Sequence, residues 1–369
     1  MEPKYQAVAD VLRKAIARGV FSDGQALSTE AELKDRFGVS RQTVRQAIAL
    51  LENDGLVQRK RGSGTYVAHG PRRHGSVLNV GVIITYITDY IFPSIVRGVE
   101  SVLSDQNCLM SLSATYNDPS REEALLTRLL ATPLDGLIVE GTRTALPNPN
   151  LPVYEKLRER NIPYVFINGY YPALTQCVHV VTDDEAGGYL AVKSLMKKGF
   201  TRIAGIFKSD DMQGRLRHTG FVKALLHYRL YESPEACDKA VCWFTTQTKD
   251  RFLRQGPGAA FLNSLTLQAD SLVCYNDEIA LLVLSRLPAL GLSVPEDLSI
   301  ISFDDSPYAS VCSPKLTSLA HPKEEFGRTA ARTLLGLMRG KKEESVVMPW
   351  TLIERGSVTD SQNHSCSPA

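Results

Sequence analysis

The sequence predicts an α/β protein that joins a small N-terminal helical domain to a larger body with two lobes. Three observations predict this organisation. Two short helical patterns and a basic hairpin follow one another over residues 29–67, and a segment rich in Gly, Pro and Arg comes next. From residue 77 onward, short apolar strands alternate with longer helical patterns. With 369 residues, of which 43% are hydrophobic, the chain is long enough for two or three folded domains.

The first predicted element is an amphipathic helix over residues 4–19, which ends at Gly19. Lys4 at its start is a candidate phosphate contact, and a frayed terminus is the alternative. The apolar side chains that recur at helical spacing are expected to face the core of the small domain: Val8, Val11, Leu12, Ala15 and Ile16.

Two shorter helices are predicted next, joined by a tight turn at Gly38. Thr29 can cap the first of them, and Glu32 three residues later completes a capping box. Ser40 can cap the second, whose apolar stripe contains Val44, Ala47, Ile48 and Leu51.

The opposite side of that second helix carries Arg41, Gln42 and Arg45. Such a helix start suits the major groove of DNA, because Arg pairs with guanine, Gln pairs with adenine and a helix N-terminus favours phosphate. The alternative is an ordinary pair of helices whose polar side chains are simply exposed to solvent. The ordered set of cap, turn, polar-faced helix and basic hairpin favours DNA binding.

The hairpin follows Gly55, with a strand over residues 56–58 and a return over residues 65–67. Gly62 and Gly64 allow the backbone conformations that a hairpin tip needs. Three cations stand at this tip, as a wing lying on phosphates or in a minor groove requires: Arg59, Lys60 and Arg61.

Residues 28–67 resemble the winged helix-turn-helix of GntR-type bacterial regulators over essentially the whole segment. They read STEAELKDRFGVSRQTVRQAIALLENDGLVQRKRGSGTYV. The resemblance implies a dimeric transcription factor that reads palindromic operator DNA, with Gln42 helping to set operator preference. The candidate DNA contacts are Lys4, Glu30, Arg41, Gln42, Thr43, Arg45, Arg61, Gly62, Ser63, Gly64 and Thr65.

The charge of the chain is unevenly distributed. Residues 1–75 contain 13 Lys and Arg against 8 Asp and Glu, a net charge of +5, and the remainder contains 29 against 32, a net charge of −3. The positive excess therefore lies on the small domain, as expected for a domain that binds nucleic acid. Seven scattered cysteines without a CxxC pair argue against a disulfide framework and a zinc site.

No apolar run approaches the roughly 20 residues needed to span a bilayer. The N-terminus lacks the uninterrupted apolar region of a signal peptide, which argues against a transport receptor. We therefore expect a cytoplasmic protein. The segment after the hairpin reads AHGPRRHGS, and Pro71 between glycines makes a hinge helix there unfavourable.

The body is predicted to contain parallel sheets with helices on both faces. Its length of about 290 residues exceeds what one such sheet usually holds, so two lobes are expected. The predicted strands are 77–84, 109–113, 136–140, 164–167, 203–207, 271–274 and 298–302. The predicted helices are 92–104, 121–130, 187–197, 214–226, 278–287 and 323–339.

Polar and aromatic side chains are concentrated where these strands end. Ligands of open parallel sheets bind beyond the carboxyl ends of the strands, so these side chains are expected to meet in a cleft. Carboxylates and carboxamides bind vicinal hydroxyls, and aromatic rings cover the apolar face of a sugar. Acidic loops without a phosphate-binding glycine motif favour a neutral polyol. The alternative for each Asp or Asn is a helix cap or turn former.

Residues 77–356 resemble the LacI/galactose-repressor type of effector domain, a relative of periplasmic sugar-binding proteins. The matching stretches include DGLIVEGT at 135–142, RLRHTGF at 215–221, CYNDEIAL at 274–281 and VPEDLSIISFDDS at 294–306. In that family the corresponding side chains hold sugar hydroxyls, which implies this role for Arg217, Asn276 and Asp304. Together with the N-terminal domain, the segments 85–98 and 302–323 are very similar to the L-arabinose repressors of Gram-positive bacteria.

The sequence thus predicts a winged helix-turn-helix domain over 1–68, a linker over 69–76, and a two-lobed, periplasmic-binding-protein-like body over 77–369 that binds a small aldose and dimerises. L-Arabinose as the effector rests on the resemblance alone. No cofactor and no metal is expected. The candidate sugar contacts are Tyr86, Asp89, Tyr90, Phe92, Glu140, Asn168, Asp183, Lys208, Arg217, Asn276, Asp277 and Asp304.

Several alternatives remain open at this stage. Glu140 ends an apolar strand, so it is either a sugar-hydroxyl acceptor or a salt-bridged structural residue. His321 is expected to be a structural histidine near a crossover between the lobes. Crossovers are predicted near 170–173, from 304–308 up to His321, and near 343–348. A sugar-acting enzyme is the rival class, but no nucleophile elbow or metal-spaced set accompanies the carboxylates.

Overall fold

The computed structural model describes residues 3–17, 20–21, 24–60, 63–67 and 77–363. The chain divides into two compact units. The first extends to Asn79 and takes in residues 107–109, and the second contains the rest of the chain. The predicted linker over 69–76 lies outside the described residues, as do Ala68, Arg61 and Gly62.

The described part of the N-terminal unit contains three helices and a two-stranded antiparallel hairpin. Its elements are α1 (Lys4–Ala17), α2 (Glu30–Phe37), α3 (Arg41–Asn53), β1 (Val57–Lys60) and β2 (Gly64–Val67). The predicted capping box is confirmed, because the Thr29 N–H donates to Glu32 Oε2 at 2.8 Å and the Thr29 hydroxyl accepts from the Glu32 N–H. Gly38 ends α2 in the left-handed conformation, with φ of 62°.

The core of this unit forms where the apolar stripes of the three helices meet. Leu33, Val44 and Ile48 are fully buried between α2 and α3, and Leu12 of α1 packs with them. The prediction that Val11 faces this core is wrong. Val11 is 49% exposed, because it lies on the side of α1 away from α3.

The second unit contains two six-stranded sheets, one in each lobe. The first lobe has strand order β13-β7-β6-β5-β3-β4, with β3 (Leu78–Ile84), β4 (Cys108–Ala114), β5 (Gly136–Val139), β6 (Tyr164–Ile167), β7 (Val178–Thr182) and β13 (Val346–Met348). The second lobe has order β14-β12-β11-β10-β8-β9, with β8 (Ile203–Lys208), β9 (Val241–Phe244), β10 (Ser271–Cys274), β11 (Ser299–Phe303), β12 (Thr317–Ala320) and β14 (Thr351–Ile353). The β12–β14 pair is antiparallel, whereas β8 to β12 run parallel.

Helices cover both sheets, as the strand–helix alternation predicts. They are α4 (Phe92–Ser104), α5 (Pro119–Leu130), α6 (Leu151–Glu159), α7 (Asp184–Lys197), α8 (Met212–His227), α9 (Pro234–Lys239), α10 (Lys249–Phe252), α11 (Pro257–Gln268), α12 (Asp277–Leu284), α13 (Pro307–Val311) and α14 (Lys323–Met338). No helix within the described residues has the length and apolar character that a membrane span requires.

The chain crosses between the lobes three times. It leaves the first lobe between β7 and α7, returns between β12 and α14, and crosses again between β13 and β14. The predicted crossover at 170–173 is wrong, because those residues precede β7 within the first lobe. The predicted crossover ending at His321 is confirmed at its far end, since His321 directly follows β12.

An aromatic cluster surrounds two of these crossovers. The ring of His321 packs edge-on against Trp350 with centroids 5.1 Å apart, and Trp350 packs edge-on against Phe303 at 5.3 Å. Gly187 of α7 lies against Trp350, where an added Cβ would approach the indole to 2.6 Å. His321 is therefore a buried structural residue beside the crossover, and its Nδ1 has no hydrogen-bond partner within the described residues. Its burial lowers the pKa of the imidazole to about 4.

Candidate functional site

The start of α3 presents polar side chains to solvent. Arg41, Gln42 and Arg45 are exposed, and Thr43 is half-buried. The Ser40 hydroxyl accepts from the Thr43 N–H at 3.1 Å, which fixes the first turn of the helix. This geometry places the three long side chains on the solvent-facing side of the helix.

Arg45 is held by a neighbouring helix. Its Nε lies 2.9 Å from Glu30 Oε2, and the Arg59 guanidinium donates to the Arg45 carbonyl at 3.4 Å. Glu30 is itself a predicted DNA contact, and in this structure its carboxylate orients Arg45. Because Arg45 remains 62% exposed, this ion pair positions the guanidinium without burying it.

The described part of the hairpin tip is stabilised by Tyr66. Lys60 lies 4.9 Å from the Tyr66 ring centroid, and the Tyr66 hydroxyl and the Ser63 hydroxyl are 2.6 Å apart. Gly64 has φ of 123°, which a residue with a Cβ rarely adopts. Lys4 and Ser63 are exposed and Thr65 is half-buried, whereas Arg61 and Gly62 lie outside the described residues. These features give an exposed basic wing beside an exposed polar helix.

The body contains a cavity of about 90 Å³ where the carboxyl ends of the strands of both lobes face each other. One ordered water needs roughly 10–15 Å³, so the cavity has room for about six to nine waters. This is slightly fewer than the ten non-hydrogen atoms of a pentose, so the cavity is close in size to a small monosaccharide. Eight predicted contacts line it: Tyr86, Tyr90, Phe92, Glu140, Asn168, Lys208, Asn276 and Asp304.

Glu140 lies at the end of β5 and is buried. The Thr85 N–H donates to its Oε2 at 2.7 Å, and the Asn168 amide donates to its Oε1 at 2.8 Å. Burial raises the pKa of Glu140, and these two hydrogen bonds limit the rise. Within the described residues, Glu140 is therefore held by hydrogen bonds and not by a salt bridge, which leaves lone pairs that can accept from a ligand hydroxyl.

Lys208 stands across the cavity at the end of β8. Its Nζ lies 3.0 Å from Asp211 Oδ2 and 3.7 Å from Asp210 Oδ1. Burial alone lowers the pKa of Lys208, but the two carboxylates more than offset this and raise it. Lys208 is thus a fixed cation that can donate to a neutral ligand.

Arg217 is buried behind the cavity wall. Its guanidinium bonds to Asp184 Oδ1 at 2.8 Å, to Asp304 Oδ1 at 3.3 Å and to the carbonyl oxygen of Tyr275 at 2.6 Å. The ring of Phe303 lies 4.4 Å from its Cζ. With 1% of its side chain exposed, Arg217 orients Asp304 and does not reach the cavity.

Three more of the predicted contacts do not line the cavity. Asp183 is exposed and caps α7 by accepting from the Ala186 N–H at 3.1 Å. Asp277 is buried, and its carboxylate accepts from Ser302, Ser318 and the Ser306 N–H, which fixes the chain after β11. Asp89 is exposed in the loop after β3. Asp183 is thus a helix cap, which was the alternative given for each Asp or Asn in the sequence analysis.

Hydrogen bonds cross between the lobes around the cavity. The Asn117 amide donates to the Thr246 hydroxyl at 2.5 Å, and the Met212 N–H donates to the Thr144 hydroxyl at 2.9 Å. The Tyr90 hydroxyl donates to Asp304 Oδ2 at 2.7 Å. The lobes are therefore closed on the cavity in this structure.

Sequence reasoning missed several residues of the lining. Asn117, Thr246, Gln213 and Asp211 come from loops or helix starts, and Lys249 of α10 bonds to Glu278 at 2.8 Å. The NDE stretch at 276–278 was the available indication for Glu278, because its neighbour Asn276 was recognised. Four carboxylates and two ammonium groups line the cavity, which suits a neutral ligand rich in hydroxyls: Glu140, Asp211, Glu278, Asp304, Lys208 and Lys249.

A buried carboxylate supports the loop after β5. Glu122 of α5 is fully buried and accepts from the Tyr154 hydroxyl at 2.6 Å, the Tyr171 hydroxyl at 2.9 Å and the Thr142 hydroxyl at 2.8 Å. Two amides, those of Asn148 and Asn150, also donate to it. This network fixes the backbone that brings Gly141 and Thr144 to the cavity.

Comparisons with known proteins match both units. Residues 4–67 match the family of bacterial regulatory proteins of the gntR family, and residues 192–358 match the periplasmic binding protein-like domain. A LacI family transcriptional regulator from Enterococcus faecium, solved with bound ribose, is 26% identical with a TM-score of 0.60, and the match covers 76% of this chain and 99% of that one.

Two relatives match nearly the full length. The arabinose metabolism transcriptional repressor of Geobacillus stearothermophilus is 38% identical over 346 residues, 93% of each chain. That of Halalkalibacterium halodurans is 35% identical over 375 aligned positions, 98% of each chain. This chain belongs to the family of arabinose metabolism transcriptional repressors, so it is a DNA-binding, sugar-responsive regulator and not an enzyme.

Proposed function

We propose that this repressor binds palindromic operator DNA as a homodimer and that L-arabinose releases it. The observation that carries the proposal is the closed, monosaccharide-sized cavity lined by four carboxylates, two ammonium groups and aromatic rings. Two relatives whose names specify arabinose metabolism support the choice of sugar. Action on operator DNA implies that the protein works in the cytoplasm.

The dimer is proposed from the size of the reading surface. One α3 helix presents three long side chains, Arg41, Gln42 and Arg45, which are enough to read a few base pairs. Two copies related by a twofold axis would read two half-sites at a fixed spacing, and a palindrome matches that symmetry. Lys4 and the wing residues 61–65 are proposed to contact phosphates or the minor groove.

Release is proposed to follow from closure of the lobes. In the liganded state, sugar hydroxyls would bond to Glu140 and Asn168 of the first lobe and to Lys208 and Asn276 of the second, which favours the closed arrangement. Closure would turn the chain about its three crossovers, near Asp183, His321 and Trp350, and so change the half-site spacing of a dimer.

The required coupling is modest. A hundredfold loss of DNA affinity corresponds to about 2.7 kcal/mol, and the same factor must weaken sugar binding to the DNA complex. A hydrogen bond to a charged group contributes about 1.5–3 kcal/mol, so one or two contacts made only in the closed state are sufficient.

The proposal is tested by calorimetry and gel shift on the full chain. L-Arabinose should bind with one site per chain and should weaken operator binding, whereas its enantiomer D-arabinose, a control of identical composition, should do neither at the same concentration. Binding of D-ribose in place of L-arabinose would retain the repressor class and replace the effector. Tighter operator binding in the presence of L-arabinose would refute release.

A further inference from the structure

Tyr90 spans the cleft from one lobe to the other. It lies in the loop between β3 and α4 of the first lobe and has φ of 63°, a left-handed conformation that is unusual for a bulky residue. Its hydroxyl reaches the second lobe, where it donates to Asp304 Oδ2 at 2.7 Å and accepts from the Asp277 N–H at 3.2 Å. The Phe303 carbonyl oxygen lies 3.3 Å away. A strained backbone and a complete set of partners show that this placement is specific.

The hydrogen bonds of the Tyr90 hydroxyl are of the kind that a bound sugar hydroxyl makes. The group donates to a carboxylate and accepts from a backbone N–H, and both partners are then occupied by the protein. Asp304 Oδ1 is meanwhile bonded to Arg217 at 3.3 Å. The Asp304 end of the cavity therefore has its main polar groups already paired.

The cavity lining close to Tyr90 and Asp277 in the chain includes apolar side chains as well as the polar Asn276 and Glu278. Ile91, Phe92 and Ile279 line the cavity near Tyr90, and burial raises the pKa of the Tyr90 phenol well above its ordinary value. A pyranose pentose carries hydroxyls on C1 to C4 and none on C5. Its C5 methylene is thus the part of the ring that matches these apolar side chains.

We propose that the Tyr90 side chain replaces one ligand hydroxyl at Asp304, faces C5 of the bound pentose, and excludes sugars that carry a further carbon there. This inference rests on the proposed function. It assigns to Tyr90 both the closing bond between the lobes and the discrimination of pentoses from hexoses. The bond comes from its hydroxyl and the discrimination comes from its ring.

Three sugars differ only in the substituent on C5 of the pyranose ring. L-Arabinose, D-fucose and D-galactose have the same ring stereochemistry and carry hydrogen, methyl and hydroxymethyl at C5. A pocket that rejects one added carbon typically discriminates by about 10- to 200-fold. Calorimetry on the full chain should therefore give a graded loss of affinity from L-arabinose to D-galactose.

Two variants separate the hydroxyl from the ring. Tyr90→Phe should weaken L-arabinose binding by roughly 10- to 100-fold, the factor expected for one hydrogen bond to a charged group, and should retain the preference for L-arabinose. Tyr90→Ala should reduce the ratio of L-arabinose to D-galactose affinity at least tenfold. Tyr90→Gly, which suits the left-handed backbone, should give the same reduced ratio and replaces the alanine variant if that variant does not fold.

The inference is overturned if the alanine and glycine variants keep the parent ratio, or if Tyr90→Phe loses selectivity to the same extent as they do. Failure of the unaltered chain to bind any of the three sugars would instead refute the proposed function. Selective L-arabinose binding by the unaltered chain, with an unchanged ratio in the variants, would refute the role of Tyr90 alone.

Discussion

Replacement of Arg217 by methionine tests whether this arginine stabilises the fold as the buried cation between Asp184 and Asp304. The guanidinium is the cation between two buried carboxylates, at 2.8 Å from Asp184 and 3.3 Å from Asp304, and three aromatic rings enclose it. Removing one partner of a buried ion pair leaves an uncompensated charge and costs about 3–5 kcal/mol. We expect a loss of this size in the free energy of unfolding at pH 8.

The cost should depend on pH in a defined direction. Burial raises the pKa of Asp184 to about 6 although Arg217 lowers it, so removal of the arginine raises this pKa further. An acid whose pKa is raised on folding binds more protons in the folded state, so the stability of the variant increases as the pH falls toward 6. Above pH 6 the stability of the parent protein does not increase in this way. The loss of unfolding free energy caused by Arg217→Met should therefore become smaller as the pH falls from 8 to 6, by up to about 1.4 kcal/mol per pH unit.

Urea unfolding followed by tryptophan fluorescence is the assay. The two tryptophans of the sequence, Trp243 and Trp350, both lie in the body, and Trp350 contacts Arg217. Arg215→Met is a matched control, because Arg215 lies on the same helix, is exposed and rests on Trp243. It should cost less than about 1 kcal/mol. A cost for Arg217→Met below about 1 kcal/mol, or one independent of pH, would refute the reasoning.

Three further predictions concern other parts of the molecule. Arg45→Ala should remove discrimination between operator and random DNA in gel shifts, whereas Arg36→Ala on α2 should preserve it; equal losses on both DNAs would make Arg45 a phosphate contact. Glu122→Gln should cost about 1–3 kcal/mol in urea unfolding and weaken sugar binding, because an amide donor would face hydroxyl and amide donors. Because the pKa of His321 is lowered to about 4 in the folded state, the free energy of unfolding falls as the pH drops from 6.5 toward 4. His321→Gln should remove on the order of 2–3 kcal/mol of this pH dependence. A variant whose unfolding free energy has the same pH profile as that of the parent would contradict this prediction.

The elements that the sequence predicted well are those whose pattern is local. Helix α4 begins and ends where predicted, at Phe92 and Ser104, because its apolar spacing and the following polar residues are unambiguous. Strands β7, β9, β12, β13 and β14 were not predicted. They have three to five residues each, and pairing with neighbouring strands, which is not local information, defines them.

The sequence predicted which residue types line the cavity better than it predicted which side chains reach it. Strand-end residues such as Glu140 and Asn168 face the cavity because the end of a parallel strand is a fixed position. Whether Arg217 reaches the ligand or orients Asp304 depends on the packing of α7 against α8. Gly188 and Gly220 let these two helices approach closely enough to bring Asp184 to Arg217. No motif encodes that distance.

The residues missed at the cavity share a cause. Asn117 has φ of 57° and reaches across to Thr246, and Lys249 belongs to a four-residue helix that pairs with Glu278. Each lies in a loop or a one-turn helix whose position depends on the closed arrangement of both lobes. Local sequence does not indicate which of these segments will meet.

Operator binding by the full chain, titrated at fixed salt with and without saturating L-arabinose, tests the central claim most directly. The proposed mechanism predicts that the sugar weakens operator affinity about a hundredfold and that the operator weakens sugar affinity by the same factor. Operator affinity that is the same with and without the sugar, in a chain that calorimetry shows to bind it, would contradict the coupling between the cavity and DNA binding.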